Sequence, residues 1–192
     1  MLFRSGRALG YRLVSVVLGR ETAPDRLDPA TLRTLPWDEH ELVAYDLPEG
    51  NWRIVALWEG HSGGNTRGAF AEEEDGHALA PAAADILRED SVAFFLRVTH
   101  DEYWRNLREH FGKTIVAMFT DEPTPMGRIF DPVLRVTRHP WTPGFLSDVQ
   151  QWWPAGDAAC WLAALWLDCG PQTEAFRSAY RKAVQARLER TY

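Results

Sequence analysis

One stretch limits what this chain can fold into more than any other: Lys113-Thr114-Ile115-Val116-Ala117-Met118-Phe119-Thr120-Asp121-Glu122-Pro123. From Thr114 to Thr120 the residues are apolar or β-branched without alternation. Such a run predicts a strand buried on both faces, as in a parallel sheet covered by helices. Upstream, Ser91 to Phe111 places Val92, Phe95, Leu96, Thr99, Tyr103, Leu107 and Phe111 at helical spacing, with Gly112 where a left-handed C-terminal cap belongs. The order is helix, glycine, strand, then two carboxylates and a proline. In parallel α/β folds ligands meet the C-terminal ends of the strands, which makes Asp121 and Glu122 the first candidates for chemistry.

The N-terminal part predicts β structure. Tyr11 to Leu18 reads as a strand ended by Gly19, and Glu41 to Tyr45 as a weaker one. The turn signal Leu47-Pro48-Glu49-Gly50 then delivers a strand from Trp52 to Trp58. The expectation is that Glu41–Tyr45 pairs beside Trp52–Trp58, which also enters the main sheet. A glycine-rich loop follows (Glu59 to Gly68), and Asp85 and Asp90 are alternative N-caps for the long helix. Trp52–Trp58, loop, helix and Thr114–Thr120 then form one right-handed βαβ unit, an α/β fold with parallel strands and an added β-hairpin region. The domain reading is a β-rich segment at 1–50 and an α/β domain at 51–192. Near the C-terminus Ala158 to Leu167 predicts a short apolar helix. A longer one follows Pro171, with Phe176, Tyr180, Val184 and Leu188 on one stripe.

Charge and composition remove several function classes. A net charge of −6 argues against a nucleic-acid partner. No run approaches the ~20 apolar residues of a membrane-spanning helix, and the expectation is no membrane partner and a cytoplasmic location. The two cysteines, Cys160 and Cys169, have no metal spacing and read as buried free thiols. His61 lacks a second ligand at metal spacing, and the glycines around it do not form a phosphate loop. No metal or cofactor is expected.

Phe119-Thr120-Asp121-Glu122-Pro123, preceded by Thr99-His100-x-x-Tyr103 and Phe111-Gly112-Lys113-Thr114, resembles large bacterial glycoside hydrolases akin to α-L-rhamnosidase-type enzymes. More broadly it is similar to the (β/α)8 glycosidase clan whose acid/base stands in an Asn-Glu-Pro tripeptide; this chain has Asp121 in place of the Asn. The likeness is best over Trp52 to Arg128. It implies a partial (β/α)8 TIM barrel and carboxylate catalysis of O-glycoside cleavage, with a carbohydrate as substrate. Glu122 becomes the general acid/base, with Asp121 as its orienting or sugar-binding neighbour. Glycoside cleavage requires a carboxylic acid to protonate the leaving oxygen, and burial beside a like charge favours the protonated form. The competing reading is that both carboxylates cap a turn. Arg128, Trp141, Trp58 and Glu59 are the expected substrate-binding residues, the arginine for a hydroxyl or carboxylate and Trp141 for stacking on a sugar face.

A complete barrel takes about 250 residues. The resemblance therefore implies a fragment that works with the remainder of the same polypeptide and is inactive alone, because the second carboxylate would follow a later strand. Two other classes stay open: a non-catalytic carbohydrate-binding or interaction module, and a Mg²⁺ or Mn²⁺ site at Asp121 and Glu122. Adjacent residues on an extended chain face opposite ways, which counts against the metal.

Overall fold

The computed structural model describes residues 11–40, 43–60, 84–119, 125, 130–131 and 136–192. Its elements are strands β1 (Arg12–Ala23), β2 (Arg26–Leu27), β3 (Arg33–Thr34) and β4 (Trp52–Glu59), then helices α1 (Glu89–Val98) and α2 (His100–Leu107). A short pair β5 (Phe130–Asp131) and β6 (Val136–Thr137) precedes α3 (Phe145–Trp152), α4 (Ala158–Trp161) and α5 (Thr173–Thr191). The chain divides into two compact units, one within Met1–His61 and Pro143–Gln185, the other within Ser62–Thr142 and Ala186–Tyr192.

The first unit is built on β1. All three other strands of its sheet pair with β1, and every pairing is antiparallel. This overturns the expected partial (β/α)8 TIM barrel with parallel strands. Trp52–Trp58 does become a strand, but its partner is β1, with Val16 opposite Ala56 and Leu18 opposite Ile54. It forms no βαβ unit with Thr114–Thr120. Val43 to Tyr45 is not a strand, so the expected hairpin partner of β4 is replaced by β1. The physical reason is the patterning of the two longer strands, each of which has two distinct faces. Trp52, Ile54, Ala56 and Trp58 pack with Leu13, Val16, Leu18 and Leu35 on one side. Leu13 and Val16 are three apart yet share that side because Val14 is an extra residue, a bulge between Leu13 and Ser15.

Ser15 and Val17 consequently face the other way, where the Ser15 hydroxyl donates to the Ala159 carbonyl at 3.2 Å. Gly19, expected to end β1, sits inside it: a Cβ there would lie 3.0 Å from side-chain carbons of both Leu27 and Leu32. The glycine permits close packing. The β1–β2 turn places Asp25 at φ 58, a conformation aspartate tolerates, and its carboxylate accepts from Arg53 at 2.6 Å.

Aromatic rings hold the helices of this unit together. Trp153 meets Trp161 at 5.0 Å and Phe176 edge-on at 5.3 Å, and Phe145 meets Tyr180 at 5.7 Å. Phe145 and Phe176 are fully buried, each contributing roughly 1.5–3 kcal/mol over an exposed position. Of the stripe expected on the last helix, Phe176 and Tyr180 are core residues while Val184 is half-buried. Asp157 caps α4 through the Ala159 amide, 2.9 Å away.

The second unit contains α1 and α2, broken at Thr99, whose hydroxyl donates to the Phe95 carbonyl at 2.5 Å. That back-bond competes with the helical ladder and accompanies the break. Within the same unit Arg187 Nε donates to the Leu87 carbonyl at 2.8 Å and Thr191 Oγ1 to the Ile86 carbonyl at 2.7 Å.

Candidate functional site

The segment that leads to the candidate carboxylates is helical, as the sequence suggests, but in two pieces, α1 and α2, rather than one helix over Ser91–Phe111. A 3-10 turn follows at Arg108–His110, and Gly112 takes φ +76. Three successive amides, of Lys113, Thr114 and Ile115, then point at the His110 carbonyl at 3.2, 3.0 and 2.9 Å, and the Gly112 amide donates to the Ile115 carbonyl. Trp104 closes edge-on over Phe111 at 5.3 Å. The result is a closed turn in which Thr114 and Ile115 cannot begin a strand.

Beyond it, Val116 to Phe119 has no strand assignment, and Val116 is 83% and Phe119 88% exposed. The buried central strand expected over Thr114–Thr120 does not form across Thr114–Phe119. A doubly covered strand requires neighbours on both edges. Among the described residues of this unit the only strands are the two-residue β5 and β6, paired with each other. Asp121, Glu122 and Arg128 lie outside the described residues, as does Thr120.

The remaining candidates have defined surroundings. Trp58 belongs to the β1–β4 apolar face, directly opposite Leu13 in register. Glu59, one residue on, has only 12% of its side chain exposed, and its Oε1 accepts from Arg12 Nε at 2.6 Å. This hydrogen bond and the carboxylate charge raise the Arg12 pKa. Trp141 is half-buried in the second unit, next to Thr142, whose hydroxyl donates to the Asp85 carboxylate at 2.7 Å. Asp85, expected as a helix cap, also accepts from the Leu87 amide at 3.0 Å. Trp58 and Glu59 share β4 with side chains on opposite faces.

The thiols differ. Cys169 is buried, and that burial, with the Asp168 charge beside it, pushes its pKa up to about 11. Cys160 is half-buried, its thiol hydrogen-bonded to the Asp157 carboxylate at 3.5 Å, and its pKa is also raised, chiefly by burial. Neither is held as a reactive thiolate. Among the described residues no group of three or more His, Cys, Asp or Glu side chains is arranged to hold a metal ion.

One concave surface was not legible as a site. Trp152 and Trp153 are adjacent in sequence, but the structure separates them. Trp153 is 4% exposed, whereas Trp152 is 44% exposed and borders a groove of about 420 Å³ between the end of α3 and the first half of α5. The sequence signal was the small residues Ala175, Ser178 and Ala179 at helical spacing, which leave room beneath a neighbouring aromatic.

No family model, curated protein or solved structure matches this chain.

Proposed function

We propose that this chain derives from a glycoside hydrolase and carries its proton-donating carboxylate, Glu122. The observation that supports the reading is the order of parts ahead of it: a helical segment in two pieces with Thr99-His100-x-x-Tyr103 at and after the break, a glycine at positive φ, an apolar run, then Asp121-Glu122-Pro123. Pro123 biases Glu122 toward an extended backbone, and the adjacent Asp121 charge favours a protonated Glu122. A protonated carboxyl is what a departing glycosidic oxygen needs. The reaction also needs a second carboxylate or another nucleophile at the anomeric carbon.

The test supplies that nucleophile from solution. Phenyl glycosides of common hexoses and deoxyhexoses are incubated with the chain and azide. Azide bonds to the anomeric carbon, the bond to the phenolic oxygen breaks, and Glu122 gives that oxygen its proton. Azide-dependent phenol release, lowered by about 10²-fold or more in Glu122→Gln, supports the reading. Absence of release across the panel, or release indifferent to the substitution, refutes it.

A further inference from the structure

We infer that the groove beside Trp152 is a binding site for a carboxylated pyranose, a sugar acid. It lies wholly within the first unit and does not depend on the Glu122 reading. Its floor is one face of α5, where Ala175, Ser178, Ala179 and Lys182 recur at i, i+3, i+4 and i+7. Its wall is Trp152 and Trp153 with the loop that follows them. That loop is fixed: the Gln150 side-chain amide donates to the carbonyls of Trp153 and Gly156, both at 2.9 Å, and its oxygen accepts from the Ala158 amide at 2.8 Å. The groove is thus largely pre-formed, and its volume of about 420 Å³ falls in the small-ligand range.

The lining chemistry selects the ligand. Trp152 offers a partly exposed indole face, with the Lys182 ammonium 5.9 Å from the ring centroid. An indole face of this kind suits the C–H face of a sugar ring. Gln172 and Ser178 supply an amide and a hydroxyl for sugar hydroxyls. Among the described residues no acidic side chain lines the groove, although the whole chain carries a charge of −6. The local charge is therefore Lys182 alone among the lining residues, which suits a carboxylate.

The experiment follows the indole N–H resonances of the full, ¹⁵N-labelled chain during titration with galacturonate, with galactose and acetate as separate arms. Binding by galacturonate shifts the Trp152 and Trp153 resonances; galactose binds about tenfold more weakly, and acetate alone does not reproduce the shifts. Lys182→Gln brings galacturonate down to the level of galactose, while Trp152→Ala removes both. Glu122→Gln leaves the titration unchanged, which separates this site from the hydrolase reading. Silent indole resonances, equal shifts from acetate, or unaltered galacturonate affinity in Lys182→Gln would overturn the assignment. Lys182 is exposed, so that variant reports on binding even if Trp152→Ala perturbs the fold.

Discussion

Arg12 Nε stands 2.6 Å from Glu59 Oε1, and the two residues are direct cross-strand neighbours where β1 and β4 pair. Glu59 is thereby anchored by the sheet, whatever else it meets. The Arg12 side chain is 65% exposed, so solvent screens the pair and cross-strand ion pairs of this kind are worth roughly 0.2–1 kcal/mol. Glu59→Ala is expected to lower the unfolding free energy in urea by about that amount, with an unchanged slope. A loss of several kcal/mol would mean that Glu59 holds a buried charge rather than an edge pair.

Gly170 ties the loop before α5 to the N-terminal strands. Its φ is +83, and a Cβ would meet Pro29 ring carbons at 3.0 and 3.2 Å. Its amide donates to the Asp168 carboxylate at 2.8 Å, and the Asp168 main chain exchanges hydrogen bonds with Asp25 and Leu27. Left-handed backbone costs an L-residue about 1–2 kcal/mol, and the Pro29 contact adds to it. Gly170→Ala should lower stability by at least that much in chemical unfolding. An unchanged midpoint would show that this loop relaxes freely.

Phe176 is fully buried between Trp153 and Trp161, whose ring centroids lie 5.3 and 6.2 Å from its own. Rings this tightly packed cannot collapse into the space left by truncation. Phe176→Ala is expected to cost roughly 3–5 kcal/mol and to change near-ultraviolet circular dichroism, which reports on the tryptophans. A loss below about 1 kcal/mol would contradict this core.

Alkaline pH acts through Cys169. Burial raises its pKa to about 11, so the folded chain keeps the proton while the unfolded chain loses it near 8.5. The raised folded value means that the stabilisation is complete below about pH 8.5 and is lost as pH rises toward about 11, by at most about 3–4 kcal/mol. Burial shifts Tyr180 in the same direction, adding a further decline above pH ~10. Unfolding free energies measured from pH 7 to 11 should therefore fall, with a shallower fall in Cys169→Ala. A flat profile would place this thiol in water.

Much of the local structure was legible because it depends on local pattern. Strands at Tyr11–Leu18 and Trp52–Trp58, Phe176 and Tyr180 on α5, and Gly112 at positive φ are set by local propensity, periodicity and backbone sterics. Pairing is a different matter. An uninterrupted run such as Thr114–Phe119 states that a strand is possible, not which neighbour it finds, and parallel pairing inferred from it had no partner to test it against. The Val14 bulge was equally hidden, since it appears only once β1 is registered against β4. The groove was missed for a related reason: Trp152 and Trp153 are adjacent in sequence, and only the end of α3 turns one inward and leaves the other in solvent.

The exposed run supplies the sharpest comparison between pattern and structure. Phe119 is 88% exposed, so replacing it with a charged residue removes no packing. Phe119→Glu should change the unfolding free energy by no more than about 0.5 kcal/mol, as for ordinary surface positions. It should also reduce self-association, because it removes an exposed aromatic ring and adds to the net negative charge. Urea unfolding together with light scattering over a range of protein concentrations measures both effects. A loss near the roughly 3–5 kcal/mol typical of a buried phenylalanine would put this residue back inside a core, in the covered strand its sequence pattern suggests.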